Sequence, residues 1–192
     1  VIDGQFEPGM GAPLESRNPA KPSEHAWRGH ESSLADVERA IIAARNAAGP
    51  WAEMGFAGRA AVLREAAKLA AARVDAFTGS IRAETGKPTW DARAEASLIA
   101  SKIDITVDES PSSPLSRVTG GDISLGGTKW GRTQFRPHGV MAVLGPFNFP
   151  MHLPNGHIAP ALAMGNTIVF KPSDKTPHCG LVLATLYIEA LA

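Results

Sequence analysis

Apolar positions in the first hundred residues recur at helical spacing and are rich in alanine. Ser33-Leu34-Ala35-Asp36 has the spacing of a capping box, and Val37, Ile41 and Ala44 follow on one face, so a helix is expected to start there. Gly49-Pro50 is expected to stop it. A second helix is expected from about Arg59 to Val74, with Val62, Ala66 and Leu69 on one face. A third runs from about Asp75 to Thr85 and ends at Gly86-Lys87-Pro88; a fourth starts near Thr89 and carries Ala92, Ala96, Ile99 and Ile103. Short loops join these four segments, which predicts that they pack as antiparallel neighbours. Residues 1–32, rich in Gly, Pro, Ser and Asn, read as short strands and turns.

The pattern changes at Asp108. Glu109 to Gly121 is Ser/Pro/Gly-rich and predicts a loop. Asp122–Leu125 and Lys129–Arg136 are β-like on either side of Gly126-Gly127, which suits a hairpin. An isolated hairpin is marginal in water, so this one is expected to pair with something else, such as another subunit. Val140–Leu144 has the pattern of a short buried strand, broken by Gly145-Pro146-Phe147-Asn148-Phe149-Pro150. His157–Met164 reads as a helix ended by Gly165-Asn166, Thr167–Lys171 as a second strand ended by Pro172, and Leu181–Leu191 as another helix. Strand, helix, strand, helix in this rhythm predicts a βαβ unit with a parallel pair. The expected class is therefore α/β, in three parts: a helical part over 1–121, a hairpin over 122–138, and an incomplete Rossmann-like sheet over 139–192.

Charge narrows the function classes. Lys+Arg and Asp+Glu are 19 each in 192 residues, giving a net charge of zero without a basic cluster, which argues against nucleic-acid binding. No apolar stretch approaches membrane-spanning length and no signal-peptide pattern opens the chain. The single cysteine rules out an internal disulfide framework, and the plain expectation is a cytoplasmic setting. The chain begins at Val1 and stops at Ala192 inside an apolar, helix-like run, which reads as a fragment.

The candidate chemistry lies between 140 and 175. In a parallel βαβ pair both strands end at one edge of the sheet, and ligands of open α/β folds bind outside that edge. Asn148 follows the first strand and Lys171 closes the second, so both side chains are expected near one crevice. An amide donor there suits an oxyanion, and a cation suits a nucleotide. Taken alone, Asn148 also reads as a turn cap and Lys171 as a snorkelling strand-end lysine. His138, His152 and His157 lack metal-ligand spacing, and no metal site is expected. Trp51, Trp90 and Trp130 read as packing residues.

Several spaced motifs together resemble the aldehyde dehydrogenase superfamily: Arg17-Asn18-Pro19, Glu84-Thr85-Gly86-Lys87-Pro88, Gly145 to Pro150, Ala159 to Thr167, and Phe170 to Pro177. Arg136-Pro137-His138-Gly139-Val140 and His152 to Ile158 are similar to the succinylglutamic semialdehyde dehydrogenases within it. The resemblance implies a cysteine thiolate attacking the aldehyde, hydride transfer to a nicotinamide, and hydrolysis of the thioester by glutamate-activated water. It implies that Asn148 is the side-chain oxyanion donor and that Lys171 contacts the adenosine ribose. Asp174 stands where NAD-preferring members often carry a glutamate, so NAD is expected over NADP. Gly145, Pro146, Phe147 and Ser173 complete the implied cofactor contacts. Phe149, His152 and Lys102 are the implied substrate contacts; Lys102 reads either as a cation facing the carboxylates of an acidic aldehyde or, more simply, as an ordinary exposed lysine. The implied assembly is a homo-oligomer, dimer or tetramer, through the hairpin.

The family's nucleophilic cysteine, general-base glutamate and nicotinamide-side glycine motif lie further along than Ala192. Cys179 falls just after the ribose-binding turn and reads as a small helix-start residue, not a nucleophile. Two alternatives stay open: another aldehyde as substrate, or a catalytically dead nucleotide-binding or oligomerisation module.

Overall fold

The computed structural model describes residues 1–118 and 120–192; Thr119, in the expected 109–121 loop, lies outside them. Strands β1 (Pro13–Arg17) and β2 (His25–His30) form an antiparallel pair ahead of four helices, α1 (Leu34–Glu53), α2 (Gly55–Ala72), α3 (Val74–Thr85) and α4 (Thr89–Val107). The capping box forms as spaced: Ser33 Oγ accepts the Asp36 N–H at 3.2 Å, and Asp36 Oδ2 accepts the Ser33 N–H at 2.8 Å. Gly86, at φ 70°, closes α3 in the left-handed conformation that glycine adopts without strain.

Gly49-Pro50 does not stop α1. The helix runs through Pro50 to Glu53 and turns only at Gly55, whose φ is 75°. A mid-helix proline costs about 3 kcal/mol, and tertiary bonds offset it. Trp51 is buried, and its indole N–H donates to the Leu162 carbonyl at 3.0 Å. The buried Arg59 guanidinium donates to the carbonyls of Trp51 (3.3 Å) and Ala52 (2.9 Å) in the last turn of α1 and of Ala163 (3.0 Å) at the end of the later helix His152–Ala163, tying the two helix ends together.

Packing also differs from four antiparallel neighbours. Helices α2, α3 and α4 form a core of small and medium side chains, including Ala60, Leu63, Ala66, Phe77, Ile81 and Ile99. Helix α1 leaves them and packs on the sheet, where Thr167 Oγ1 donates to the Ala44 carbonyl at 2.8 Å. Consequently Val37 and Ile41 are exposed although they share a helical face with Ala44. Trp90 and Trp130 are 74% and 62% exposed and are surface residues, not packing ones. The period of the pattern marks a helix correctly while saying nothing about which partner its face meets.

After a short 3-10 turn (Pro114–Arg117), β3 (Gly121–Gly126) and β4 (Lys129–Thr133) make an antiparallel hairpin with Ile123, Leu125 and Trp130 exposed. Strands β5 (Val140–Leu144) and β6 (Thr167–Lys171) then pair in parallel, connected by α5 (His152–Ala163) and followed by α6 (Pro177–Leu191). Both helices start about one turn earlier than their periodicity suggests. Pro154 and Pro160 dilute the pattern of α5, while Pro177 sits at the first position of α6, where the lost N–H costs nothing. Helices α5 and α6 bury Ile158, Ala159, Leu183 and Leu186 in the α2–α4 core, so one apolar core fastens the βαβ unit to the helices.

Candidate functional site

The register of the parallel pair fixes the geometry of its edge. Leu144 lies opposite Lys171, so both strands end together, and the Gly145 N–H donates to the Lys171 carbonyl at 2.9 Å just beyond them. Two loops, 145–151 and 172–176, therefore leave the sheet side by side. A Cβ on Gly145 would stand 3.0 Å from the Phe170 ring, and one on Gly180 only 2.3 Å from Pro172 Cβ. Glycine at these points lets the first loop lie against β6 and α6 lie against Pro172. The loops also meet through side chains, the Lys175 ammonium sitting 4.6 Å from the centre of the Phe147 ring.

The expected cofactor residues all stand along this edge. Phe147, Lys171 and Asp174 are exposed, Gly145 and Pro146 are half-buried, and Ser173 is buried. Ser173 Oγ accepts the Lys175 N–H at 3.2 Å and shapes the turn that presents Asp174. Among the described residues the only hydrogen bond of the Lys171 ammonium is to the Pro172 carbonyl at 2.9 Å. A cation and a carboxylate three residues apart, both facing outward at the carboxyl ends of parallel strands, have the donor and acceptor character that a ribose diol needs. Asn148 is exposed, and among the described residues its side chain has no hydrogen bond.

The expected substrate residues gather behind Asn148, where α5 meets α4. Phe149 and His152 are half-buried with their rings edge to face at 6.5 Å. Lys102 is half-buried rather than an ordinary surface lysine. Its stem passes α5 at Gly156, where a Cβ would meet Lys102 Cε at 3.5 Å, an ordinary contact distance. Burial holds His152 below its ordinary value, and the Lys102 and Lys87 cations act the same way against the pull of Glu95. The neutral imidazole is therefore favoured, and its Nδ1 is buried without a hydrogen-bond partner among the described residues.

Sequence reasoning missed the residues that hold these loops. Glu95, 1% exposed, accepts the Met151 and His152 N–H groups at 3.1 and 3.2 Å through Oε1, and the Lys87 ammonium at 2.9 Å through Oε2. The same ammonium lies 3.7 Å from the centre of the Phe149 ring. Glu84, also buried, accepts the His178 and Cys179 N–H groups at 3.0 and 2.7 Å. Two acids on the helical side thus cap the starts of α5 and α6, the helices that follow β5 and β6. A signal was present: Glu84 lies three residues after Ile81, and Glu95 lies between Ala92 and Ile99, each on an otherwise apolar face.

Cys179 is fully buried, and burial together with the adjacent Glu84 carboxylate pushes its thiol far above the ordinary range. A thiol held protonated is no nucleophile. A cleft of about 1130 Å³ lies elsewhere, along the free edge of β5 and the 109–118 segment, and holds none of the expected site residues. Leu144, 72% exposed, borders it, as expected where a parallel sheet has only two strands. Among the described residues no three His, Cys, Asp or Glu side chains come together as a metal site, and no helix is long and apolar enough to cross a membrane.

Comparison with known proteins agrees with this architecture. The chain is 42% identical over 192 residues to an N-succinylglutamate 5-semialdehyde dehydrogenase of Burkholderia orbicola (strain MC0-3), an alignment covering 98% of this chain and 38% of that protein. The chain thus spans well under half the length of this relative. A succinate-semialdehyde dehydrogenase from Burkholderia pseudomallei superposes with a TM-score of 0.90 at 31% identity, covering 100% of this chain and 39% of the other. An NADP-dependent glyceraldehyde-3-phosphate dehydrogenase from Bacillus halodurans C-125, complexed with NADP, superposes with a TM-score of 0.90 at 28% identity, covering 100% and 40%. The Aldehyde dehydrogenase family profile matches residues 6–191, and with the paired loops, the parallel strands and the ordered motifs this shows that the chain belongs to the aldehyde dehydrogenase family.

Proposed function

We propose that the complete protein oxidises an acidic semialdehyde to the corresponding acid with NAD, and that N-succinylglutamate 5-semialdehyde is its substrate. One observation carries the substrate reading: the alignment to a relative of that name covers nearly the whole chain at 42% identity. The site supports it. Lys102 is half-buried, among the described residues its ammonium has no ion pair, and its Cε approaches α5 at Gly156, one helical turn, or about 6 Å, from His152. A semialdehyde whose carbonyl lies at Asn148 would direct a carboxylate towards that ammonium.

In this reading the Asn148 amide, unused by the protein, donates to the oxygen on which negative charge develops. Lys171 and Asp174 hold the adenosine ribose, Gly145, Pro146, Phe147 and Ser173 shape its seat, and Phe149 and His152 wall the substrate side. Bound NAD would supply the hydride acceptor. The Asp174 carboxylate would repel a 2′-phosphate, which favours NAD over NADP. The hairpin β3–β4, with Ile123, Leu125 and Trp130 exposed, serves as the oligomerisation element of a dimer or tetramer, and the three parts over 1–121, 122–138 and 139–192 are its working units. Residues supplying the nucleophile and the general base lie outside the 192 residues of this chain.

The test is NADH production by the complete protein with succinylglutamate semialdehyde, succinate semialdehyde and an uncharged aliphatic aldehyde. The highest kcat/KM on the succinylated substrate supports the reading. A preference for the uncharged aldehyde removes the acidic-substrate part, and no turnover of any aldehyde removes the catalytic reading altogether.

A further inference from the structure

Asn148 has a working side chain with no fastening of its own. Its amide makes no hydrogen bond among the described residues, so its aim is set by the backbone of the 145–151 loop. That backbone is held on the sheet side by the Gly145 N–H to the Lys171 carbonyl, before Asn148. After Asn148 the hold comes from the helical side. Glu95 takes the N–H groups of Met151 and His152, and Lys87, paired to the same carboxylate, lies against the ring of Phe149. Residues 149, 151 and 152 are thus fixed by one ion pair whose acid is out of contact with solvent.

From this geometry we infer that Glu95, with Lys87, is a positioning residue that aims the Asn148 amide at the reacting oxygen. The inference rests on the oxyanion reading above. Charge matters to the arrangement as well as shape. The carboxylate offers only acceptors, and here it faces three donors at once: two backbone N–H groups and an ammonium. A glutamine of the same size keeps one acceptor oxygen but turns an NH₂ towards either the ammonium or the helix start, so the loop must shift to relieve the donor–donor contact. A small shift matters because oxyanion donors act only within about 2.7–3.1 Å of the charge they stabilise. Glu95 touches neither substrate nor cofactor in this arrangement; it acts through Asn148.

The experiment is a double-mutant cycle in the complete enzyme: wild type, Glu95→Gln, Asn148→Ala, and both together, reading kcat/KM for the aldehyde and KM for NAD. The expected result is a loss of about tenfold or more for Glu95→Gln in the wild-type background, near-silence of the same change in the Asn148→Ala background, and an unchanged KM for NAD. Equal losses in both backgrounds overturn the inference, because a general structural defect would be additive. A Glu95→Gln enzyme with wild-type kcat/KM overturns it as well. If Glu95→Gln does not fold, Lys87→Met, which leaves Glu95 bound to the helix start, carries the same cycle, with a smaller but equally non-additive loss expected. Wild-type kcat/KM for Asn148→Ala alone overturns the oxyanion reading and this one with it, whereas a large loss there with additive behaviour overturns only the role of Glu95.

Discussion

Oε2 of Glu84 accepts the backbone N–H of Cys179 at 2.7 Å, joining the last turn of α3 to the first turn of α6 across 95 positions of chain. Oε1 takes the His178 N–H at 3.0 Å and the Ser16 hydroxyl at 2.5 Å, so one carboxylate binds β1, α3 and α6 together. The side chains of Ser16 and Glu84 are buried, which removes water as a substitute partner.

Glu84→Ala is therefore expected to be severely destabilising. It leaves two N–H groups and a hydroxyl without acceptors in a dry place, at about 1–3 kcal/mol for each buried group left unsatisfied. Urea unfolding of the complete protein should show a lower midpoint with an unchanged slope. Glu84→Gln should lose less, since its amide oxygen keeps one acceptor. A midpoint for the alanine variant equal to wild type would mean that the cap is dispensable.

Arg59 makes a similar prediction for the end of α1. Its guanidinium donates to the carbonyls of Trp51, Ala52 and Ala163, and burial lowers its pKa without neutralising it at ordinary pH. Arg59→Met keeps most of the volume and strips three acceptors of their donor. A loss of about 2–3 kcal/mol is expected, on the scale of hydrogen bonds to a charged group, together with faster amide exchange in the residues after Pro50. Unchanged exchange there would show that Trp51 alone carries the helix past the proline.

Much of this architecture is legible in the sequence, and the illegible parts share a cause. The capping box at Ser33, the glycine closing α3, the hairpin and the parallel pair are local signals, written within a few residues, and they appear where the pattern puts them. The passage of α1 through Pro50 depends on Leu162 and Arg59, residues the helix meets only after folding. Glu84 and Glu95 stand out locally only as acids on apolar helix faces, which does not say what they hold. An acid on an apolar helix face becomes a cap only when another helix brings its N–H groups there. The same holds for the site: the strand ends place Asn148 and Lys171 at one edge, whereas the approach of Lys102 to α5 at Gly156 is a property of two helices in contact.

Cys179 yields a prediction about alkaline stability. Its folded pKa is raised, so the folded state favours the thiol, and the stability this contributes is complete below the unfolded pKa of about 8.5 and declines as pH rises past it. The buried Tyr187 is raised too, but its unfolded reference lies near 10, leaving the lower part of the alkaline range to Cys179. Thermal midpoints measured from about pH 8 to 10 should fall for the wild type and fall less for Cys179→Ala. A thiol reagent should label the native protein slowly and the unfolded one at once. Rapid labelling of the native protein would contradict the burial and reopen a reactive role for this thiol.

On the acid side Asp36 acts with the opposite sign. The Met10 N–H, the Arg39 guanidinium and the Ser33 N–H hold its carboxyl far below the usual carboxylate range. The stability it contributes is present above the unfolded pKa of about 3.9 and is lost as pH falls below it. Asp36→Asn should lower stability at neutral pH and flatten the acid limb of the stability curve. The same acid limb in both proteins would assign acid unfolding to other carboxylates.

Lys102 supplies the most direct test of substrate chemistry. Its stem packs past Gly156, and its ammonium has no anionic partner among the described residues, although it is half-buried. A cation placed so can be completed by a substrate carboxylate. Lys102→Met keeps the apolar stem and removes only the charge. In the complete enzyme KM for succinylglutamate semialdehyde should then rise by about tenfold, equivalent to roughly 1.4 kcal/mol. The KM for an uncharged aldehyde should stay the same, because that substrate has no carboxylate to meet the cation. Added salt should raise KM in the wild type and matter less in the variant, since a partly buried pair is still screened at its mouth. Equal KM changes for charged and uncharged aldehydes would make Lys102 a packing residue of α4 and move the search for the carboxylate's partner to other residues of the protein.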